Sequence, residues 1–216
     1  MRRLIIATHN ADKAREMLTI LKEYLHDLAV EILTLADFPG MPEPEEYGDT
    51  YLQNAAIKAR AAADALQELA IADDAGLEVD ALNGEPGLHS RRYAGIETSF
   101  ADKMTLLLGR LKDVPEPERT ARFRCAVAIA EPSGPTHLFT DTCEGRIAFE
   151  RSGTGGFGYD PIFFLPDLGC TMADLTPEHK NRISHRGKTL SAAAPLLRRL
   201  LGPERTEQGS EPVVEG

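Results

Sequence analysis

Four stretches of this chain gather side chains capable of chemistry. In "THNADK", Thr8 to Lys13, a short apolar run gives way to Thr8, His9, Asn10, Ala11, Asp12 and Lys13 at the start of a helical pattern. That is where α/β sheets bind ligands, beyond the carboxyl end of a strand and against the free N–H groups of a helix N-terminus. Lys13 falls in the first helical turn, where a cation opposes the helix dipole, so a nearby anion would offset it. A plain capped helix with a solvated lysine has the same spacing. Asp73 and Asp74 close a second stretch, "LAIADDAG". If the strand continues through them, their carboxylates point to opposite faces, one toward a cleft and one toward packing partners. Adjacent acids in apolar surroundings need a partner to stay charged, and a divalent cation such as Mg²⁺ fits, because it binds one or two carboxylates together with substrate phosphates. The loop acids Glu43, Glu45 and Glu46 could supply the second carboxylate. A solvated acidic turn is the simpler alternative for "DDAG".

In "HKNRISHRGK", Lys180, Arg182, His185, Arg186 and Lys188 fall within nine positions. Arginine offers a fork and lysine a point charge, so such a cluster beside a helix start can hold a polyphosphate; a solvated basic turn is the alternative. His185 could act as a general acid or as a donor to a base edge, or be purely structural. The fourth stretch, "GTGGFGYDPIFF", contains G-x-G-x-x-G at Gly153, Gly155 and Gly158. A dinucleotide fingerprint would need a helix opening on its last glycine. Pro161 and the apolar run Ile162 to Leu165 predict a short strand there instead. Glycines next to Phe157 then read as a loop that lets backbone and ring approach a planar base. Polyphosphate, metal and planar base together would use all four stretches.

These residues must be positioned by regular elements, and the pattern supplies them. Arg3 to Ala7 reads as a strand, and "ADKAREMLTILKEYL" as a helix with Ala14, Met17, Leu18, Leu21 and Leu25 on one face. Glu31 to Leu35 reads as a second strand. A helix from about Thr50 starts on a capping-box spacing, Thr50 with Gln53. "ELAIADDAGLEVDAL" reads as a strand, an acidic corner and a second short strand. A Gly-, Pro- and Arg-rich loop covers 83 to 95, and Thr98 to Leu111 is helical. Residues 120–130 and 136–150 form a pair of long strands joined by Pro132, Ser133, Gly134 and Pro135. The helix over 187–201 should be kinked or divided by Pro195.

Composition narrows the class. A chain of 216 residues, 42% hydrophobic, can bury a core and fits one domain, with room for two lobes about a cleft. We read residues 1–202 as that domain and 203–216, with four glutamates and one arginine, as a disordered acidic tail. A formal net charge of −10 opposes nonspecific binding to nucleic acid or anionic membrane. No run approaches the roughly 20 apolar residues that span a bilayer, and the first residues are too short for a signal peptide, which predicts a cytoplasmic protein. Cys125, Cys143 and Cys170 are scattered and read as buried thiols.

Five blocks, "ATHNADKAREM", "EEYGDTYLQNAAIKAR", "DDAGLEVDALNGEPGLHSRRYAG", "GTGGFGYDPIF" and "HKNRISHRGK", together resemble the inosine/xanthosine triphosphate pyrophosphatase family, in that family's order, from about residue 4 to 200. The resemblance implies an elongated, two-lobed, mixed-sheet α/β fold with a central substrate cleft, and a homodimer. It implies Mg²⁺-dependent hydrolysis of XTP, ITP and dITP to the monophosphate and pyrophosphate. Carried over, Thr8 through Lys13 would hold the triphosphate, with Asn10 and Lys13 as the main ligands. Glu46 and Asp74 would bind Mg²⁺, and Asp74 would activate the attacking water, with Lys13 as its catalytic partner. Phe157, Gly158, Tyr159 and Asp160 would line the base pocket, Lys180 would position the nucleotide, and His185 with Arg186 would read the 6-keto edge. Two positions depart from the family pattern. Ala75 stands where serine is common, leaving only its backbone N–H, and Gln53 stands where glutamate is frequent. A dinucleotide-dependent oxidoreductase, a non-catalytic nucleotide-binding module and a related pyrophosphatase acting on pyrimidine nucleotides are the competing readings.

Overall fold

The computed structural model describes residues 1–42, 44 and 46–203. Glu43, Glu45 and all but the first residue of the acidic tail lie outside the described residues. Seven strands form one mixed sheet: β1 (Arg2–Ile6), β2 (Val30–Thr34), β3 (Leu69–Val79), β4 (Thr120–Ala130), β5 (Thr136–Ile147), β6 (Phe163–Leu165) and β7 (Cys170–Thr171). Their order is β2-β1-β3-β4-β5-β6-β7. β1 pairs in parallel with β2 and β3, whereas β3 through β7 are antiparallel. Among the described residues five α-helices accompany it: α1 (Ala11–Tyr24), α2 (Tyr51–Leu66), α3 (Phe100–Arg110), α4 (Pro177–Ile183) and α5 (His185–Leu201). Among the described residues no helix is long and apolar enough to cross a membrane.

Three apolar clusters hold these elements. On one face of β1, β3 and β4, Leu4, Ile6, Ile71, Val127 and Ile129 pack against Met17 and Leu21 of α1 and Leu190 and Leu197 of α5. On the other face the contact is alanine on alanine: Ala55, Ala59, Ala62 and Ala63 of α2 lie over Ala70, Ala72, Ala126 and Ala128. Small side chains on both surfaces let helix and sheet approach closely. The third cluster joins the far ends of β3 and β4, through Leu77, Val79 and Phe123, to α3, Tyr159 and Phe163. Two of the three free cysteines, Cys125 and Cys143, are buried, and Cys170 is half-buried.

The structure departs from the sequence reading at β3, at α5, in the segments ahead of β6 and α5, and at element ends, β5 closing at Ile147. β3 has no corner: Ala70 through Val79 pair without interruption with Ala130 through Ala121, so the ladder carries Asp73 to Gly76 straight through the acidic stretch. α5 is continuous through Pro195 and begins two residues earlier than expected, at His185, where Ser184 Oγ caps it by accepting from Gly187 N. Ahead of β6, Asp160–Ile162 form a single 3₁₀ turn, and α4, which the sequence reading did not contain, precedes α5.

Candidate active site

Asn10 caps α1, its side-chain oxygen accepting from Asp12 N at 3.0 Å and Lys13 N at 3.1 Å. That cap fixes the first turn and sends Lys13 back toward the sheet, where its Nζ lies 3.3 Å from Asp73 Oδ2. Asp73 thus supplies the anion that the dipole argument required. The same oxygen accepts from Arg186 Nε at 3.0 Å and Nη2 at 2.8 Å. Asp73 is fully buried, and burial alone would raise its pKa, but the ammonium of Lys13 and the guanidinium of Arg186 hold it well below the usual carboxylate range.

Asp74 points to the opposite face of β3, as strand alternation requires. It accepts from Asn54 Nδ2 at 3.2 Å and lies 3.4 Å from Lys58 Nζ, which also donates to Glu46 Oε1 at 2.7 Å. Asn54 and Lys58 occupy successive turns of the buried face of α2, so one helix surface presents both groups to Asp74. Burial raises the pKa of Asp74 above the usual value despite Lys58. Burial pulls Lys58 down, but Asp74, Asp73 and Glu46 outweigh it and its pKa is raised. Two carboxylates therefore converge on one cation, a hard-oxygen arrangement that favours positive charge between them. Among the described residues no larger set of metal-ligating side chains gathers anywhere. Thr50 and Gln53 form the expected capping box at the start of α2: Thr50 Oγ1 accepts from Gln53 N, and Gln53 Oε1 accepts from Thr50 N and Asp49 N. The neutral Gln53 thus orients the helix that carries Asn54 and Lys58.

At the other end of the cleft, the glycine loop wraps a carboxylate. Asp160 Oδ2 accepts from Phe157 N at 2.9 Å and from Lys180 Nζ at 2.6 Å. Gly156 has φ +65°, and a Cβ there would sit 2.0 Å from Asp160 Oδ2, so only glycine lets the turn close on that oxygen. Gly153 and Gly155 of the G-x-G-x-x-G spacing instead press on Ala173, where a Cβ would lie 2.4 Å from its carbonyl carbon and 2.9 Å from its oxygen, respectively. Burial raises the pKa of Asp160, with Lys180 opposing. The Phe157 ring carries Lys180 Nζ 4.8 Å and the Arg186 guanidinium 5.6 Å from its centroid. Glu16 of α1 links the two cations, accepting from Lys180 at 2.5 Å and from Arg186 Nη1 at 2.6 Å. His185 stacks on Phe123 with centroids 4.7 Å apart, and burial together with Arg186 and Lys180 depresses its pKa well below the usual 6.5. Its buried Nδ1 has no hydrogen-bond partner among the described residues.

A cleft of about 300 Å³ joins the two ends, within the range of small-molecule sites. Of the residues singled out in the sequence, Thr8, Asn10, Lys13, Glu46, Asp74, Ala75, Phe157, Gly158, Tyr159, Asp160, Lys180, His185 and Arg186 line it. His9, Ala11 and Asp12 do not: His9 and Ala11 are exposed beside it, and Asp12 pairs with Arg15 at 3.1 Å. Arg182 and Lys188 also lie outside the lining, Lys188 donating to Thr142 O. Sequence reasoning gave no role to Lys58, Asn54 or Glu16. A lone lysine on the alanine face of α2 was the available signal for Lys58; Glu16 gave none beyond lying one turn after Lys13.

Fold and site together define a mixed α/β protein with one cleft, in which two carboxylates share a lysine at one end and an aromatic ring carries two cations at the other. The Ham1 family model matches residues 4–196, and the chain belongs to that family. It is 47% identical over 208 residues to the dITP/XTP pyrophosphatase of Geobacillus kaustophilus, covering 96% of this chain and all of that one. It is 48% identical over 198 residues to that of Desulforamulus reducens, covering 92% and 96%. Among solved structures, a HAM1 protein from Coxiella burnetii superposes with a TM-score of 0.82 at 38% identity, covering 92% of this chain and all of that one.

Proposed function

We propose that this protein hydrolyses the noncanonical purine nucleoside triphosphates XTP, ITP and dITP to the nucleoside monophosphate and pyrophosphate with Mg²⁺, clearing them from the nucleotide pool. The observation that carries the proposal is the convergence of Glu46 and Asp74 on one cation, in the same cleft as the Phe157 ring with Lys180 and Arg186 over it. The names of the relatives agree with it. Glu46 and Asp74 are the residues that would hold Mg²⁺, which when bound supplies charge neutralisation at the phosphates and polarises a water.

Asp74 serves as general base, the carboxylate that β3 presents to the cleft beside Glu46. Asn54 and Lys58 hold that carboxylate in orientation. Lys13 stabilises the charge that develops on the phosphates, and the N–H groups of the Thr8–Lys13 turn bind them. At the base end, Lys180 and Arg186 hold the nucleotide against Phe157. His185 is neutral, so one ring nitrogen can donate toward the 6-keto oxygen of hypoxanthine or xanthine. Adenine presents an amino donor there, and each buried donor it leaves unpaired costs about 1 to 3 kcal/mol. GTP shares the carbonyl, so its rejection has to rest on the 2-amino group.

The proposal extends to a cytoplasmic homodimer with two lobes about the cleft; the acidic balance of −10 supports only its further part, that the protein binds neither nucleic acid nor an anionic membrane. Product identity tests the reaction: ITP with Mg²⁺ should yield IMP and pyrophosphate in equal amounts. Release of orthophosphate and IDP would contradict it.

A further inference from the structure

We propose that Lys103 is a positioning residue of this cleft, whose buried ammonium fixes the loop over 87–96 as one wall of the base end. The inference rests on the nucleotide reading above for what that wall contacts. α3 buries one face, and Phe100, Lys103, Met104 and Leu107 occupy it at helical spacing. Lys103 thus stands in an apolar row and is 2% exposed. It is one of three buried lysines among the described residues, of which Lys58 faces Glu46 and Asp74, and Lys180 faces Glu16 and Asp160. Lys103 pairs with no carboxylate among the described residues; its Nζ donates instead to a neutral carbonyl, Arg91 O, at 2.5 Å.

That carbonyl is one of an adjacent pair. Tyr159 OH donates to Ser90 O at 3.1 Å, so two successive loop carbonyls are held by side chains from two other parts of the chain. The two holding groups are themselves linked. Lys103 Nζ lies 5.0 Å from the centroid of the Phe100 ring, and Phe100 meets Tyr159 edge-on with centroids 5.4 Å apart. Ser90, Arg91, Phe100, Gly158 and Tyr159 line the cleft, whereas Lys103 does not. Lys103 therefore acts through the wall and not on the ligand. Gly158 and Tyr159 adjoin Phe157, which puts the braced wall at the base end.

The brace is costly. Burial disfavours a charged amine, and desolvation together with the nearby Arg91 guanidinium lowers the pKa of Lys103 below the usual lysine value. One hydrogen bond to a neutral carbonyl offsets only part of that cost, and a methionine would fill the same row without it. Ser90 Oγ accepts from Leu77 N at 2.9 Å and donates to Gly87 O at 2.6 Å, which already staples the start of the loop to β3. A lysine at a core position that lowers stability is explained if the stretch beyond that staple must be held where the cleft needs it.

Lys103→Met, and Lys103→Gln as a neutral donor, test this against the wild-type protein without turnover. The readouts are melting temperature, amide hydrogen exchange over 87–96, and calorimetric titration of IMP and of inorganic pyrophosphate with Mg²⁺. We expect Lys103→Met to melt no lower than wild type, to exchange faster over 87–96 and to bind IMP about fivefold more weakly, with pyrophosphate affinity unchanged. Lys103→Gln should fall between the two. Equal IMP affinity in wild type and Lys103→Met, or equal weakening of IMP and pyrophosphate, would overturn it. So would a Lys103→Met chain that does not fold, because Lys103 would then serve the core alone. Lys103-dependent IMP binding and exchange in a protein that leaves ITP intact would overturn the activity proposal and leave this one standing.

Discussion

Arg186 and Asp73, 113 residues apart in the chain, meet in a buried ion pair in which Nε and Nη2 both donate to Oδ2. The pair ties the start of α5 to the middle of β3, and through the second contact of Asp73, to Lys13, it couples the base end of the cleft to the phosphate end. Arg186 thus both positions the site and supports the fold.

Arg186→Ala should accordingly do two things. It leaves Asp73 buried beside Lys13 alone, so unfolding free energy should fall by about 3 to 5 kcal/mol, read by chemical denaturation. In the fraction that remains folded, the ratio of kcat/KM for ITP over ATP should fall. An unchanged ratio would place base reading elsewhere.

Asp74→Asn keeps the volume of the side chain and removes the base. Turnover of dITP should fall at least about 10²-fold while the circular dichroism spectrum stays native. Near-normal hydrolysis in this variant would remove Asp74 from the mechanism.

His185 supplies a pH test. Its folded pKa lies well below the usual 6.5, so the unfolded chain binds a proton that the folded protein refuses. The stability it contributes is present above pH 6.5 and is lost as pH falls toward the folded value. Melting temperatures from pH 7.5 to 5 should therefore fall less steeply for His185→Gln than for wild type; parallel curves would show that His185 is not held neutral.

Gly76→Ala tests the close contact between β3 and the loop over 83–95. A Cβ there would lie 2.3 Å from Gly87 O and 2.6 Å from Tyr51 Oη, so the loop has to move. We expect Tm to drop by about 3 °C or more, with a raised KM for ITP. A variant with native Tm would show that the loop yields freely.

Local features of this site were legible in the sequence because they obey local rules. Thr50 and Gln53 close their box, and Pro161 leads through one short turn into β6 and not into the long helix that a dinucleotide fingerprint needs. The continuous β3 was not legible, since its straight course through Asp73 to Gly76 is imposed by pairing with β4, some 50 residues later. Lys58 was hidden by the alanines around it, and Glu16 acquires meaning only once α1 and α4 bring Lys180 beside it. Side chains whose partners lie within a few residues could be read; those whose partners arrive from another part of the chain could not.

Whether the cleft reads a 6-keto purine on a triphosphate is tested most directly by kcat/KM for pyrophosphate release across XTP, ITP, dITP, GTP, ATP and CTP. XTP, ITP and dITP should be hydrolysed at least about 10²-fold more efficiently than ATP and CTP, in a reaction that requires Mg²⁺. Equal turnover of ATP and ITP, or a preference for the pyrimidine nucleotide, would contradict it.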